Sequence, residues 1–214
     1  MTFLQLQNLT LDTLDDPNAG YFGLTILKQR LNLALRELQK RLISANEEYY
    51  SAAVKTNLVN GQNIYSLPTD FLQVIRLEYV TQGSGNTADT QKLQYMTPNQ
   101  RDLMVDRSGD PIGYWFQQNN LILCPTPTGT QELRLEYSYY VSDMVNDADV
   151  PDAPAQFHEY ISILTARDCL VKDMRPLSSI ETKLNDYEKL LKQIAEQRRA
   201  DGTRMIVQVE AQNY

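Results

Sequence analysis

Leucine recurs at intervals of three and four residues from Leu24 through Leu27, Leu31, Leu35 and Leu38 to Leu42. That spacing draws one apolar stripe along a helix. It predicts a helix over residues 22–53, closed before the turn signal Asn60-Gly61. Glu37 precedes Arg41 by one helical turn, the favourable order for an exposed pair. Further helices are predicted over residues 155–173 and 179–200. In the last of these Ser178 is the expected N-cap, with Glu181 completing a capping box. Ile180, Leu184, Tyr187, Leu190, Leu191 and Ile194 form its stripe, Arg198 and Arg199 suit its C-terminal end, and Gly202 stops it.

Between these helices the period falls to two. Phe71, Ile75, Leu77 and Tyr79 alternate with Arg76 and Glu78, and Leu133, Leu135, Tyr137 and Tyr139 alternate with Arg134, Glu136 and Ser138. Both runs read as half-buried strands. Shorter extended pieces lie at Ile64-Tyr-Ser-Leu67, Ile112-Gly-Tyr-Trp-Phe116 and Leu121-Ile-Leu-Cys124. Thr97, Pro98 and Gln100 mark the start of a short helix ending near Asp106, and residues 82–91 read as a flexible surface loop. The expected fold class is α+β: a helical bundle of N- and C-terminal helices, an inserted antiparallel β unit and an extended C-terminal tail. The expected divisions are an arm over 1–21, the bundle over 22–53 and 155–200, the β unit over 54–145, an acidic proline connector over 146–154 and a tail over 201–214. Residues 1–20 show no clear period; Leu4, Leu6, Leu9, Leu11 and Leu14 allow an arm packed on the body. The tail alternates Met205, Val207 and Val209 with Ile206, Gln208 and Glu210. Two readings stand for it, pairing with a partner's sheet edge or groove and pairing back on its own β unit.

Charge and chemistry narrow the function. With 27 acidic against 20 basic residues, the net charge of -7 argues against a broad nucleic-acid or anionic-membrane surface. Lys28, Arg36, Lys40 and Arg41 read as a solvated helix face rather than a DNA contact. Met1-Thr-Phe-Leu-Gln-Leu-Gln-Asn8 lacks the basic segment and long apolar core of a signal peptide, so none is expected, and no stretch approaches the ~20 apolar residues of a membrane span. Cys124 and Cys169 read as reduced, buried thiols. The lone histidine, His158, has no second histidine one turn away to make a zinc pair, and Glu159 beside it points ~100° away around the helix. Asp143, Asp147, Asp149 and Asp152 lack the glycine and terminal glutamate of a calcium loop. Gly83-Ser-Gly85 is followed by no phosphate-loop lysine. The thirteen tyrosines mostly alternate with apolar partners and read as packing. No catalytic site, cofactor site or metal site is expected.

The succession of motifs resembles a known family. Leu31-Asn32-Leu-Ala34-Leu-Arg-Glu37, Asn60-Gly61-Gln62-Asn-Ile-Tyr65-Ser-Leu67-Pro68-Thr-Asp70-Phe71, Gly109-Asp-Pro111-Ile-Gly-Tyr114, Leu121-Ile-Leu-Cys-Pro125-Thr-Pro127, Leu133-Arg-Leu-Glu-Tyr137 and Asp149-Val-Pro151 before Phe157-His158-Glu-Tyr160 follow in order. Together they look like the head-to-tail adaptor (connector, neck) proteins of tailed bacteriophages. The resemblance implies a structural, non-enzymatic virion protein at the head–tail interface, made in the host cytoplasm. Such adaptors form a ring on the portal vertex, commonly of twelve copies, extend the DNA channel and present an attachment site to tail or neck proteins. The expected partners are therefore portal, a tail or neck protein, further copies of the chain, and packaged DNA that passes without sequence-specific binding. Another tail, baseplate or assembly-binding module is the alternative, and an enzyme with an unfamiliar site the third. The expected portal-docking residues are Arg204, Met205, Ile206, Val207, Val209 and Tyr214 of the tail.

Overall fold

The leucine stripe is buried as one face of helix α2 (Leu24–Ala45), where Leu27, Leu31, Leu35, Leu38 and Leu42 are all sealed from solvent. A computed structural model describes residues 1–46, 48–83, 88–104, 106–178 and 180–193. Helix α1 (Phe3–Thr13) precedes α2. After it come β1 (Ser51–Asn57), β2 (Ile64–Ser66), β3 (Phe71–Gln82), β4 (Asp89–Lys92) and β5 (Gln94–Tyr95). The short helix α3 (Pro98–Asp102), β6 (Gly113–Gln117), β7 (Asn120–Cys124) and β8 (Glu132–Tyr139) follow. Helix α4 (His158–Lys172), entered through one 3-10 turn (Ala155–Phe157), leads to α5 over residues 180–193. The chain divides into two compact units, residues 1–49 with 141–214, and residues 50–140. The fold is α+β, as the alternation of helical and strand periods predicts.

In the helical unit α4 lies at the centre. Tyr160, Ile161, Leu164, Ala166 and Cys169 cover every side of it and are fully buried. Helices α1 and α2 pack against it. Its buried hydroxyls stay satisfied locally: Thr165 donates to the Ile161 carbonyl at 2.9 Å and Ser162 to the Leu6 carbonyl at 3.2 Å. That matters because a buried polar group without a partner costs ~1–3 kcal/mol. Within residues 1–20, unreadable by period, Phe3–Thr13 forms a real helix. Thr2 caps it, its backbone N–H donating to the Gln5 side chain at 2.8 Å. Phe3 and Leu4 donate their N–H groups to the carbonyls of Asp149 and Asp147 at 2.7 and 3.0 Å. The connector thus satisfies donors that the first helical turn leaves open.

Two helix ends differ from expectation. Helix α2 stops at Ala45 rather than Ala53, because residues 51–57 are claimed by β8 in an unbroken antiparallel register from Ser51 opposite Ser138 to Asn57 opposite Glu132. Seven ladder positions outweigh the weak helical preference of Ser-Ala-Ala-Val. At α5, residue 178 is already helical, and the Leu177 carbonyl accepts from Ile180 and Glu181 at 2.9 and 3.0 Å, so the helix opens one residue before the expected Ser178 cap. Ile194, Arg198, Arg199 and Gly202 lie outside the described residues.

The β unit has two four-stranded sheets, in the orders β1-β8-β3-β4 and β2-β7-β6-β5. Among the described residues, the named strands all pair antiparallel except β5 with β6, and an isolated parallel bridge joins Ser108 and Thr126. One core, including Leu77, Tyr79, Leu121, Leu123, Leu135 and Tyr137, is shared by both sheets. The register of β3 against β8 slips between Phe71 and Gln73 and again between Val74 and Arg76. These bulges bring Val74, rather than the expected Ile75, onto the core beside Phe71. The apolar run of β7 is buried on both faces: Leu121 and Leu123 enter the shared core, while Ile122 and Cys124 join Trp115 and Met96 on the other side. The expected loop over 82–91 is shorter than its sequence implies, since β3 continues to Gln82 and Asp89 begins β4, paired back on β3. Gly61 turns the chain at a φ of 79°, a backbone region that the missing Cβ makes accessible.

Candidate docking surfaces

The charged residues of the helical unit are largely engaged within it. Arg36 grips both Asp143 oxygens at 2.7 Å, and Lys28 holds Asp147 at 2.9 Å. The Asp149 carboxylate accepts the backbone N–H groups of Val145 and Asn146 at 2.7 and 2.8 Å. Those N–H groups hold its carboxyl below the usual carboxylate range, and the Lys28 hydrogen bond does the same for Asp147. Between these anchors the Asn32 amide brackets Met144, donating to its carbonyl at 3.0 Å and accepting its N–H at 2.9 Å. The acidic connector is thereby tied down along the basic face of α2. Among the described residues, no group of three or more His, Cys, Asp or Glu is placed to hold a metal ion.

A second network joins α2, α4 and α5. Glu37 receives Arg41 at 2.6 Å and Arg167 at 3.1 Å; Arg41 also reaches the Tyr160 hydroxyl at 2.9 Å and Glu188 at 3.1 Å. Burial pushes the Glu37 carboxyl up, but the hydrogen bonds and charges of Arg41 and Arg167 outweigh it and leave it below its ordinary value. Two cations converging on one carboxylate orient three helices at once. That is an architectural arrangement, with no reactive pair in it.

His158 is buried at the start of α4. Its Nε2 lies 3.0 Å from the Ala153 carbonyl and its Nδ1 2.7 Å from the Met1 amino nitrogen. A neutral ring protonated on Nε2 satisfies both contacts, donating to the carbonyl and accepting from the ammonium. Burial lowers its proton affinity, and the ammonium charge adds to that. Glu159 points instead to α5, where Lys183 and Tyr187 donate to it at 2.8 and 2.9 Å. Histidine and glutamate do not converge, as the helical angle between neighbours dictates. The two cysteines are free thiols in separate units, and burial raises both.

Two open surfaces lie on the β unit. Strands β1 and β2 are edge strands of their respective sheets, and between them runs a groove of about 480 Å³. Tyr65, Leu121, Leu133 and Leu135 are among its lining residues, and Val54 and Ile64, 37% and 50% exposed, also border it. A second cleft, about 370 Å³, lies beside α3, where Tyr95 and Leu103 are exposed and the Arg101 guanidinium sits 5.4 Å over the Trp115 ring. Neither surface was visible in the sequence as a site. The only trace of the first is the period-two run of small residues Ala52, Val54 and Thr56. The expected docking residues Arg204, Met205, Ile206, Val207, Val209 and Tyr214 lie outside the described residues.

A family model described as SU10 adaptor protein matches residues 1–209. The chain belongs to that family. The match runs through both units, so neither the helices nor the β unit is an addition foreign to the adaptor. It accords with the adaptor resemblance carried by the motif succession, and gives the chain a structural role in phage. No curated protein matches the chain. Among the adaptor's described residues, no helix is long and apolar enough to cross a membrane.

Proposed function

We propose that the chain is a structural virion protein that forms a ring on the portal vertex, extends the DNA channel and offers tail or neck proteins their attachment site. The observation that carries this reading is the adaptor-family match over residues 1–209. The charge supports it. A lumen through which DNA slides gains from an acidic balance, since excess Lys and Arg would hold phosphate, and the net charge is -7. The pairing of Lys28, Arg36 and Arg41 with acids of the same unit lowers the number of cations free to hold DNA. A ring of identical head-to-tail contacts closes only at the right rotation, which a preformed portal ring would template, giving twelve copies on a twelve-fold portal. The tail, residues 201–214, serves as a docking strand; the portal is the partner that the resemblance suggests for it.

The test uses DNA-filled heads from a phage unable to make this chain. Purified protein added to them should bind at one vertex as a ring seen by electron microscopy, and should restore joining of tails. Binding all over the capsid, or no binding while tails still join, would defeat the reading. Binding to free tails alone would favour a tail or baseplate module instead.

A further inference from the structure

We propose that the groove between β1 and β2 receives the C-terminal strand, residues 203–210, of a second copy of this chain. The inference rests on the ring reading above and names a contact that would hold neighbouring copies together.

The acceptor is a free sheet edge with an apolar bed. Strand β1 is seven residues long and, among the described residues, pairs with β8 alone, so alternate N–H and C=O groups point outward along its other side. Free edges of this kind are commonly blunted by proline, bulges or several charges. Within β1 there is no proline and a single charge, Lys55, and its pairing with β8 runs without a register shift. On the core-facing side three rows run across the sheet: Ala52 beside Tyr137, Val54 beside Leu135, and Thr56 beside Leu133. Strand β2, only three residues long, leaves the groove open, with Val54 and Ile64 still 37% and 50% exposed. An added strand would continue the rows by one position.

The donor has the matching period. Met205, Val207 and Val209 stand two residues apart, as do Ala52, Val54 and Thr56. An added strand therefore lays its three apolar side chains beside those three rows in either chain direction, with Val207 next to Val54 both ways. Ile206, Gln208 and Glu210 would then lie on the outer face with Ala53 and Lys55. Met205 stands twelve positions beyond 193, the last described residue, a reach of up to ~40 Å when extended. The groove identifies an acceptor on this chain itself, which favours a second copy over the portal as the tail's partner.

The test mixes two full-length single variants, Val54→Cys and Val207→Cys, assembles them on heads lacking the chain, oxidises them gently and runs a non-reducing gel. Cys124 and Cys169 are buried and should not react. A dimer band that requires both variants is expected, and it should be lost when Ala53→Cys, on the opposite face of β1, replaces Val54→Cys. Normal ring assembly without that dimer overturns the inference and leaves the ring reading standing. A cross-link from Val207→Cys to the portal, or an intrachain cross-link in the double variant carried as a minority among wild-type copies, overturns it as well. If wild-type protein does not bind the heads at all, the ring reading fails and takes this inference with it. Should Val54→Cys alone fail to assemble, Thr56→Cys and Ala52→Cys paired with Met205→Cys and with Val209→Cys cover both strand directions; absence of a mixed dimer in all four combinations is then the refuting result.

Discussion

Leu35 and Leu33 are two residues apart on α2, and the structure assigns them opposite fates. Leu35 is 1% exposed in the seam between α2 and the rest of the helical unit, while Leu33 is 56% exposed. Replacing Leu35 with alanine removes a fully buried isobutyl group and leaves a cavity, which costs ~2–5 kcal/mol. Alanine is at least as good a helix former as leucine, so local propensity offsets almost none of that loss. Leu33→Ala removes side chain that is already mostly in water and should change stability by no more than ~0.5 kcal/mol. At ~2–4 °C per kcal/mol for a chain of this size, Leu35→Ala should lower the unfolding midpoint by about 4–20 °C, with Leu33→Ala within about 2 °C of the parent. Thermal scans followed by far-ultraviolet circular dichroism, at protein concentrations where the chain is monomeric, measure both. Equal losses in the two variants, or a larger loss for Leu33→Ala, would refute the assignment of the buried face. Leu35→Asp should be worse than Leu35→Ala, since it adds an unpaired charge to the same site.

Gly113→Ala should destabilise the β unit by ~1–3 kcal/mol, because its Cβ would fall 2.6 Å from the Met96 side chain and 2.9 Å from the Gln94 carbonyl; a urea midpoint unchanged from the parent would count against that. Tyr79, pushed up to about 12 by burial and by its 2.8 Å hydrogen bond to Asp110, should ionise at lower pH in Asp110→Asn, as followed by ultraviolet titration; no downward movement would remove Asp110 from the explanation. Acid should weaken the helical unit in two steps. His158 has a lowered folded pKa, so its contribution is full above its ordinary 6.5 and fades as pH falls below it; Glu37 and Glu159 follow below their ordinary 4.5. Chemical denaturation as a function of pH checks the order, and His158→Gln should remove the first step. The isolated chain should bind DNA weakly, without sequence preference and with strong salt sensitivity; tight selective binding in a gel-shift assay would contradict the charge argument.

The parts of this fold that the sequence reveals are those where a local period coincides with burial. The α2 stripe and the alternation of β8 are legible because each side chain's direction follows from its own element. What was hidden depends on partners distant in sequence. Ser51-Ala-Ala-Val-Lys-Thr-Asn57 has no strong strand signal of its own and becomes a strand because β8 offers it an edge. Val74 displaces Ile75 from the core through bulges that only the pairing with β8 defines. Helix α1 was obscured because its leucines at positions 4, 6, 9, 11 and 14 mix two spacings; Leu6, Leu11 and Leu14 are buried, while Leu4 is 45% exposed. The groove between β1 and β2 escapes sequence reading for a related reason. A site made by two edges is a property of sheet order, and no single segment carries it.

The pairing of charges along α2 bears on how readily this chain would bind DNA. Counting Lys and Arg along α2 alone gives a basic helix, and a basic helix is an ordinary way to hold phosphate. The structure places acids from far along the chain against it: Asp143 on Arg36, Asp147 on Lys28, and Glu188 on Arg41. Exposed pairs like the first two add little stability, ~0–1 kcal/mol each, so stability alone is a weak reason for them. Their larger effect is on the field. A phosphate approaching Arg36 meets a guanidinium whose hydrogen-bond fork is already filled on one side by a carboxylate, and must displace or outcompete it. Removing the acids while keeping the bases, as in Asp143→Asn with Asp147→Asn, would change net charge by only two from -7, yet would expose both cations. A local cause therefore predicts a gain in DNA binding much larger than that seen when Asp12 and Asp102, which make no ion pair among the described residues, are neutralised instead. If the two double variants bind DNA alike, the overall charge alone governs DNA avoidance, and the pairing along α2 is architectural only.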